Sequence, residues 1–320
     1  MNFNLLLDNL SNPALLFFVL GIVSVYLKSD LNIPQNSSKF ISLYLLFAIG
    51  FKGGQELSHE HLNSEIFLSI FFGIFISLII PLYSFFILKR KLNLFDSAAI
   101  AASYGSVSAV TFVTAVSYLE SIQLNIQGHM VAIMAMMESP AIIMGLLLIS
   151  ICNKNDNEKI KKSIAIKHSF TNGSVLLILG SLVIGFLANA KQAEGIKPFT
   201  NDLFKGFLAI FLLDMGILSG KKLKSFFSLG WFPMLFAIIM PLFNGSIFAF
   251  LSGFITDDIS SRFIFAILAA SASYIAVPAA MKISVPKSNP GLFLPMALAV
   301  TFPVNITIGM PLYLYLVQNF

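Results

Sequence analysis

Apolar residues come in long blocks along this chain, and most of the polar stretches between the blocks are short. A helix needs about 20 mostly apolar residues to cross a bilayer. On that measure the blocks predict ten spanning helices, roughly 13–27, 39–57, 65–88, 95–118, 128–151, 171–189, 200–220, 226–252, 260–283 and 290–317. The expected fold is an all-α integral membrane protein. The longest polar connection, 153–169, is expected to be a cytoplasmic linker between a five-helix unit at 1–152 and a second at 170–320.

The two units echo one another. Gly50-Phe-Lys52-Gly53-Gly54 with Leu57 aligns with Gly216-Ile-Leu-Ser219-Gly220 with Leu223 at an offset of 166. Leu20-Gly21 aligns with Ile184-Gly185 at 164, and Ala101-Ala-Ser103 with Ala269-Ala-Ser271 at 168. Five is an odd number of crossings, so the second unit enters the membrane from the opposite side, which makes an inverted-topology repeat.

Ten crossings put both termini on one side, and the basic residues choose it. With the termini outside the cytoplasm, fifteen of the twenty Lys and Arg residues fall in inner loops, among them Lys89-Arg90-Lys91 and Lys159, Lys161 and Lys162. That asymmetry is the positive-inside pattern. Composition agrees: the chain is 57% hydrophobic and 11% charged, with a mean hydropathy of +0.86. The net charge of +5 then follows from topology. It calls for no nucleic-acid partner, and the lipid bilayer is the surrounding medium.

Two spans carry polar clusters that a lipid-facing helix has no use for. Ala101-Ala-Ser103-Tyr104-Gly105-Ser106-Val-Ser108-Ala-Val-Thr111 lies in span four, and Ala269-Ala-Ser271-Ala-Ser273-Tyr274-Ile-Ala276-Val277-Pro278 in span nine. Small residues of this kind either pack helices closely or mark places where a helix unwinds around a cavity. Pro278 removes an N–H, which favours a break. Interruptions at corresponding places in two halves point to a transporter's binding site.

Where two broken helices cross, their half-helix N-termini offer unpaired N–H groups and positive dipole ends to one point. Such a point suits a small anion. Neither cluster contains Arg or Lys before Lys282, so a monovalent oxyanion fits better than phosphate or a dicarboxylate. Importing one negative charge against an inside-negative potential costs about 2.3 kcal/mol per 100 mV, and a co-transported cation cancels that cost. Freed carbonyls, hydroxyls and a carboxylate suit sodium as the coupling ion.

Glu138, before Ser139-Pro140 in span five, is the intramembrane carboxylate. It is a candidate for handling sodium or, as the second reading, a proton; the structural alternative is a hydrogen-bonded helix contact. Thr301 and Asn305 of span ten are spaced i, i+4 beside Pro303 and can complete a cation site or bond neighbouring helices. Asp214 reads as a packing or gate residue, Lys52 as a side chain snorkelling to the outer surface, and Asp96 as a helix cap. His59 and His61 flank an outer loop without further ligands at zinc spacing, so no transition-metal site is expected. No phosphate loop, nucleophile elbow or Cys/His cluster is present, so the chain does not read as an enzyme and no cofactor is expected.

At these residues the sequence resembles the sodium-dependent bicarbonate permeases of cyanobacteria and other bacteria. The similarity is clearest in Phe51-Lys-Gly53-Gly54, Tyr104-Gly105-Ser-Val-Ser108-Ala-Val-Thr111, Glu138-Ser-Pro140-Ala, Ala270-Ser-Ala-Ser273-Tyr-Ile-Ala-Val-Pro278 and Pro286-Lys-Ser-Asn289-Pro290. The resemblance implies a multi-pass protein of the bacterial inner membrane that imports bicarbonate with sodium. It implies a moving core of spans three to five and eight to ten, and a gate of spans one, two, six and seven that also assembles a homotrimer.

The resemblance places the substrate at Gly105, Ser106, Ser108, Thr111, Ser273, Ala276 and Val277. Ser103, Glu138, Ser271, Thr301 and Asn305 are the candidate sodium positions. One departure stands out: where the best-known cyanobacterial branch reads Ser-Ser-Ser-Asp-Ile-Ser-Gly-Pro-Pro, this chain has Ser271-Ala-Ser273-Tyr274-Ile-Ala276-Val277-Pro278-Ala. The loss of that aspartate leaves the sodium stoichiometry open. The linker is also shorter than in members that bind a PII-like regulatory protein, so such a partner is not expected. Two other readings remain: a permease for another small monovalent anion, and a non-transporting membrane sensor whose broken helices only pack.

Overall fold

The computed structural model describes residues 13–60, 63–153, 173–227 and 230–320. The linker expected at 153–169 therefore lies, apart from Asn153, outside the described residues, as does His61. The described residues form helices and connecting turns. In chain order these are α1 (Pro13–Tyr26), α2 (Gln35–His59), α3 (Ser64–Leu88), α4 (Leu94–Gly105), α5 (Ala109–Ser121), α6 (His129–Cys152), α7 (Gly173–Leu187) and α8 (Ala190–Lys197). They continue with α9 (Phe204–Phe227), α10 (Trp231–Leu251), α11 (Ile259–Ala270), α12 (Ala276–Ser284) and α13 (Pro290–Asn319).

Six helical stretches among the described residues are long and apolar enough to cross a membrane: Ser64–Leu88, Leu94–Ser121, His129–Cys152, Ala190–Leu223, Trp231–Phe254 and Pro290–Asn319. Leu15–Tyr26, Gly173–Leu187 and Ile259–Ala270 are apolar but shorter. The last of these is short because span nine breaks after Ala270 and resumes at Ala276. Helix α2 has the length, and Lys39, Lys52 and Glu56 dilute its apolar character.

Two helix pairs meet backbone to backbone, and glycine makes both approaches. In α1 against α9, a Cβ on Gly21 would lie 2.9 Å from the Gly216 Cα; in α2 against α7, a Cβ on Gly54 would lie 2.9 Å from the Gly185 Cα. The geometry equates Gly54 with Gly216, whereas the motif alignment places Gly50 there. The two differ by four residues, about one helical turn.

Helix α3 packs beside α6 and α4, and α10 beside α11 and α13. The Gly105 Cα faces the Pro81 ring of α3, where a Cβ would overlap it. This glycine is a packing site at the end of α4. In α13 the helix widens to π turns at Met296–Thr301 and Asn305–Gly309, on either side of Pro303. A proline ring collides with the carbonyl four residues back and removes a hydrogen bond, so the turn relaxes outward. Ser219 of α9 donates to the Leu298 carbonyl there at 2.9 Å.

Polar pairs fasten the ends of the helices. Lys52 forms an ion pair with Glu120 of α5 at 2.5 Å and lies 5.7 Å over the Phe204 ring of α9. It is therefore held between helices, not snorkelling, because a carboxylate and an aromatic face stand within its reach. Asp96 is not the cap of α4: Asn93, which precedes the first turn, accepts from the Asp96 N–H at 2.9 Å. Asp96 instead accepts the Asn289 N–H at 2.7 Å, joining the starts of α4 and α13. Asp214 accepts the Ser38 hydroxyl and so ties α9 to the start of α2.

Glu60, just past α2, accepts the Gly128 N–H at 2.5 Å and meets the buried His129 Nδ1 at 2.8 Å. Burial alone would raise the Glu60 carboxyl, but the His129 contact and the backbone N–H groups outweigh it and hold the group below its ordinary 4.5. A lowered folded-state value means a stabilising contribution that is complete above pH 4.5 and is lost as the pH falls through the folded value. Thermal unfolding of the parent is therefore expected to shift to lower temperature below pH 4.5 by more than that of Glu60→Gln. Identical acid sensitivity in the two proteins would remove this clasp from the account.

Candidate functional site

Both expected breaks are present, and they touch. Helix α4 ends at Gly105, Ser106 and Ser108 adopt extended backbone, and α5 starts at Ala109. Helix α11 ends at Ala270, and α12 starts at Ala276. The Ser273 N–H donates to the Ser103 carbonyl at 2.8 Å, and the Ser103 hydroxyl returns a bond to the Ser273 carbonyl at 2.5 Å. The Ser108 N–H donates to the Ser271 hydroxyl at 3.1 Å, and Ser271 donates onward to the Leu268 carbonyl at 3.0 Å. Each break thus satisfies backbone groups that the other frees, which buried chain requires.

A serine hydroxyl also bonds the first turn of each new half-helix. Ser108 accepts the Thr111 N–H at 3.2 Å, and Ser273 accepts the Val277 N–H at 3.4 Å. Ser108 is the N-cap of α5, whereas Ser273 stands two residues before Ile275, the N-cap of α12, and bonds four residues ahead. The first residues of the two helices, Ala109, Val110 and Ala276, line one narrow pocket with a cavity volume of about 20 Å³. The first N–H groups of a helix have no intrahelical partner, so two positive helix ends face this space.

Glu138 of α6 lines the same pocket. It is 8% exposed, and its Oε2 has no hydrogen-bond partner in the protein. An unpaired buried carboxylate oxygen costs several kcal/mol, on the order of 2–7 for a polar group and more for a charge. Its placement against a cavity, where a cation or a proton can reach it, relieves that cost. Ser42 and Leu46 of α2, Ser174 of α7, Val107, Tyr274 and Ile275 complete the lining. None of the lining residues is Lys or Arg.

Of the sequence-derived positions, Ser108, Ser273, Ala276 and Glu138 come together in the pocket. Ser103 and Ser271 stand behind it, joining the breaks. Ser106, Thr111 and Val277 are buried beside it, and the Ser106 hydroxyl has no hydrogen-bond partner. Gly105 faces Pro81.

Thr301 and Asn305 are engaged elsewhere. Thr301 donates to the Ala237 carbonyl at 2.8 Å and so accepts from the Tyr104 hydroxyl at 2.7 Å. Asn305 donates to the Ala270 carbonyl, the freed end of α11, at 2.7 Å. Ser42 and Ser174 were not signalled in the sequence, since neither sits in a polar cluster that marks a helix break. Tyr274 was noted there only as a departure from a family pattern.

A profile of the Na+-dependent bicarbonate transporter superfamily matches residues 13–318, nearly the whole chain. The chain belongs to this superfamily. Curated proteins give no significant match. The pocket at the two breaks combines hydroxyls, the first residues of two helices and one carboxylate.

Proposed function

We propose that this protein imports bicarbonate together with sodium through the pocket at the two helix breaks. The observation that carries the reading is the convergence of the first residues of α5 and α12 on the same space as the orphan oxygen of Glu138. Two helix ends and several hydroxyls favour an anion. Glu138 and an oxyanion in one pocket repel unless a cation lies with them, and sodium answers both charges. Loading is then cooperative: each ion makes the pocket better for the other.

In the mechanism, the broken helices move as part of a core of spans three to five and eight to ten. They slide against a gate of spans one, two, six and seven in an elevator-type exchange of access. Support comes from the matching glycine crossings, Gly21 on Gly216 and Gly54 on Gly185, which bring α1 to α9 and α2 to α7 in the same way. A second support is Ile79-Ile-Pro81-Leu-Tyr83-Ser84 against Ile239-Met-Pro241-Leu-Phe243-Asn244, a match at an offset of 160 in the third helix of each half. Both are what two inverted five-helix repeats produce. The termini outside the cytoplasm of a bacterial inner membrane, and a homotrimer joined through the gate, complete the proposal.

The test is competition in proteoliposomes. Unlabelled bicarbonate is expected to displace labelled bicarbonate uptake about tenfold more effectively than formate, acetate or nitrate, because those anions lack its O–H donor. Ser108→Ala, which removes a hydroxyl of the pocket, is expected to lower uptake about tenfold. Formate competing as well as bicarbonate would move the substrate to small monocarboxylates.

A further inference from the structure

Tyr274 lies in the second break, between the Ser273 that is tied to Ser103 and the Ala276 that starts α12. Its half-buried ring lines the pocket beside Ser108 and Glu138. The phenol donates to the Met215 Sδ of α9 at 3.6 Å and also engages the Ser108 side chain. The preceding residue of α9, Asp214, accepts from Ser38, and its carboxylate lies near enough to the phenol to act on it electrostatically.

A thioether is a weak acceptor, so the phenol spends its O–H on a poor partner. An anion in the pocket would be a far better one, since hydrogen bonds to charged acceptors are shorter and about twice as strong as neutral ones. No lining residue is Lys or Arg, so neutral donors must hold the anion. Among the lining hydroxyls, Ser42, Ser108, Ser174, Ser273 and Tyr274, the phenol is the most acidic and the best donor. It is also the one whose present bond crosses from the broken helix to α9.

We infer that Tyr274 is the anion donor of the pocket and the residue that reports occupancy to α9. When a monovalent oxyanion enters, the phenol O–H leaves the Met215 thioether and donates to an anion oxygen. That exchange releases the second break from α9. An empty pocket keeps the contact, so the broken helices are fastened to α9 when there is no substrate and freed when there is. Ser108 keeps its place as the cap of α5 throughout, so the switch is a change of one donor's partner.

The inference rests on the pocket being the substrate site, and the experiment separates the two failures. The measurement is KM and kcat for labelled bicarbonate uptake, with sodium, by the parent, Tyr274→Phe and Met215→Leu. Tyr274→Phe keeps the ring and removes only the O–H. It is expected to raise KM about tenfold, the factor for one lost hydrogen bond to a charged group, without a matching loss of kcat. Met215→Leu keeps the bulk and removes the competing acceptor, and KM is expected to stay or fall. Equal KM for Tyr274→Phe and the parent overturns the inference and leaves the pocket standing. Parallel losses of kcat in both variants assign Tyr274 and Met215 to packing and overturn it as well. A folded parent that shows no sodium-dependent uptake overturns the pocket itself, and this inference with it.

Discussion

Glu138→Gln is expected to abolish sodium-driven uptake while leaving the fold intact. The side chain keeps its size and loses only its charge. At about 4 Å and an effective dielectric near 20, a carboxylate attracts a cation by about 4 kcal/mol, which is on the order of a thousandfold in affinity. No second carboxylate lines the pocket to replace it. Stability should move the other way. The Oε2 of Glu138 is buried without a protein partner, so the parent carries a desolvation cost that a neutral amide reduces. The expected pair of results is therefore uptake near background and a melting temperature equal to or above that of the parent. Glu138→Asp keeps the charge and should keep part of the sodium dependence. A Gln variant that still couples uptake to sodium would take the cation away from Glu138.

Gly54→Ala is expected to lower stability markedly. The new methyl would sit against the Leu182 carbonyl, 2.7 Å from the Phe186 amide nitrogen and 2.9 Å from the Gly185 Cα. All three are backbone atoms, which cannot turn aside as a side-chain tip can. The α2–α7 crossing must open along its length, at a cost of about 1–3 kcal/mol or more for a packed interface. Membrane helices rely on such contacts, because lipid gives them no hydrophobic drive to associate. Gly180→Ala, on the same α7, is the control: its Cβ meets nothing within 4 Å. It should be neutral or stabilising by up to about 1 kcal/mol, as alanine favours helix. Thermal unfolding in detergent distinguishes them, and equal melting temperatures for the two variants would contradict the close crossing.

The breaks were legible because they need special residues locally. A serine that caps a new helix, and a proline that cannot continue one, sit within a few positions of the turn they cause. Glu138 was legible for a similar reason, as a charge in an apolar run needs an account. Gly105 ends α4 at the break and also admits the Pro81 ring, and a glycine with either task looks the same in one dimension. Lys52 and Glu120 lie 68 positions apart, and nothing near either one specifies the pairing. Thr301 and Asn305 show the same limit: their spacing puts them on one face, and only the packing of α13 against α10 and α11 decides what that face meets. The serines that close the pocket from α2 and α7 had no local mark, because their position depends on how those two helices meet the breaks.

The central claim is that bicarbonate and sodium enter together through this pocket. Its most direct measurement is uptake of labelled bicarbonate by the purified protein in proteoliposomes at fixed pH, with an inward gradient of sodium or of potassium. Uptake above empty liposomes with sodium, and none with potassium, is the expected result. Equal uptake under both gradients would contradict the coupling of the two ions.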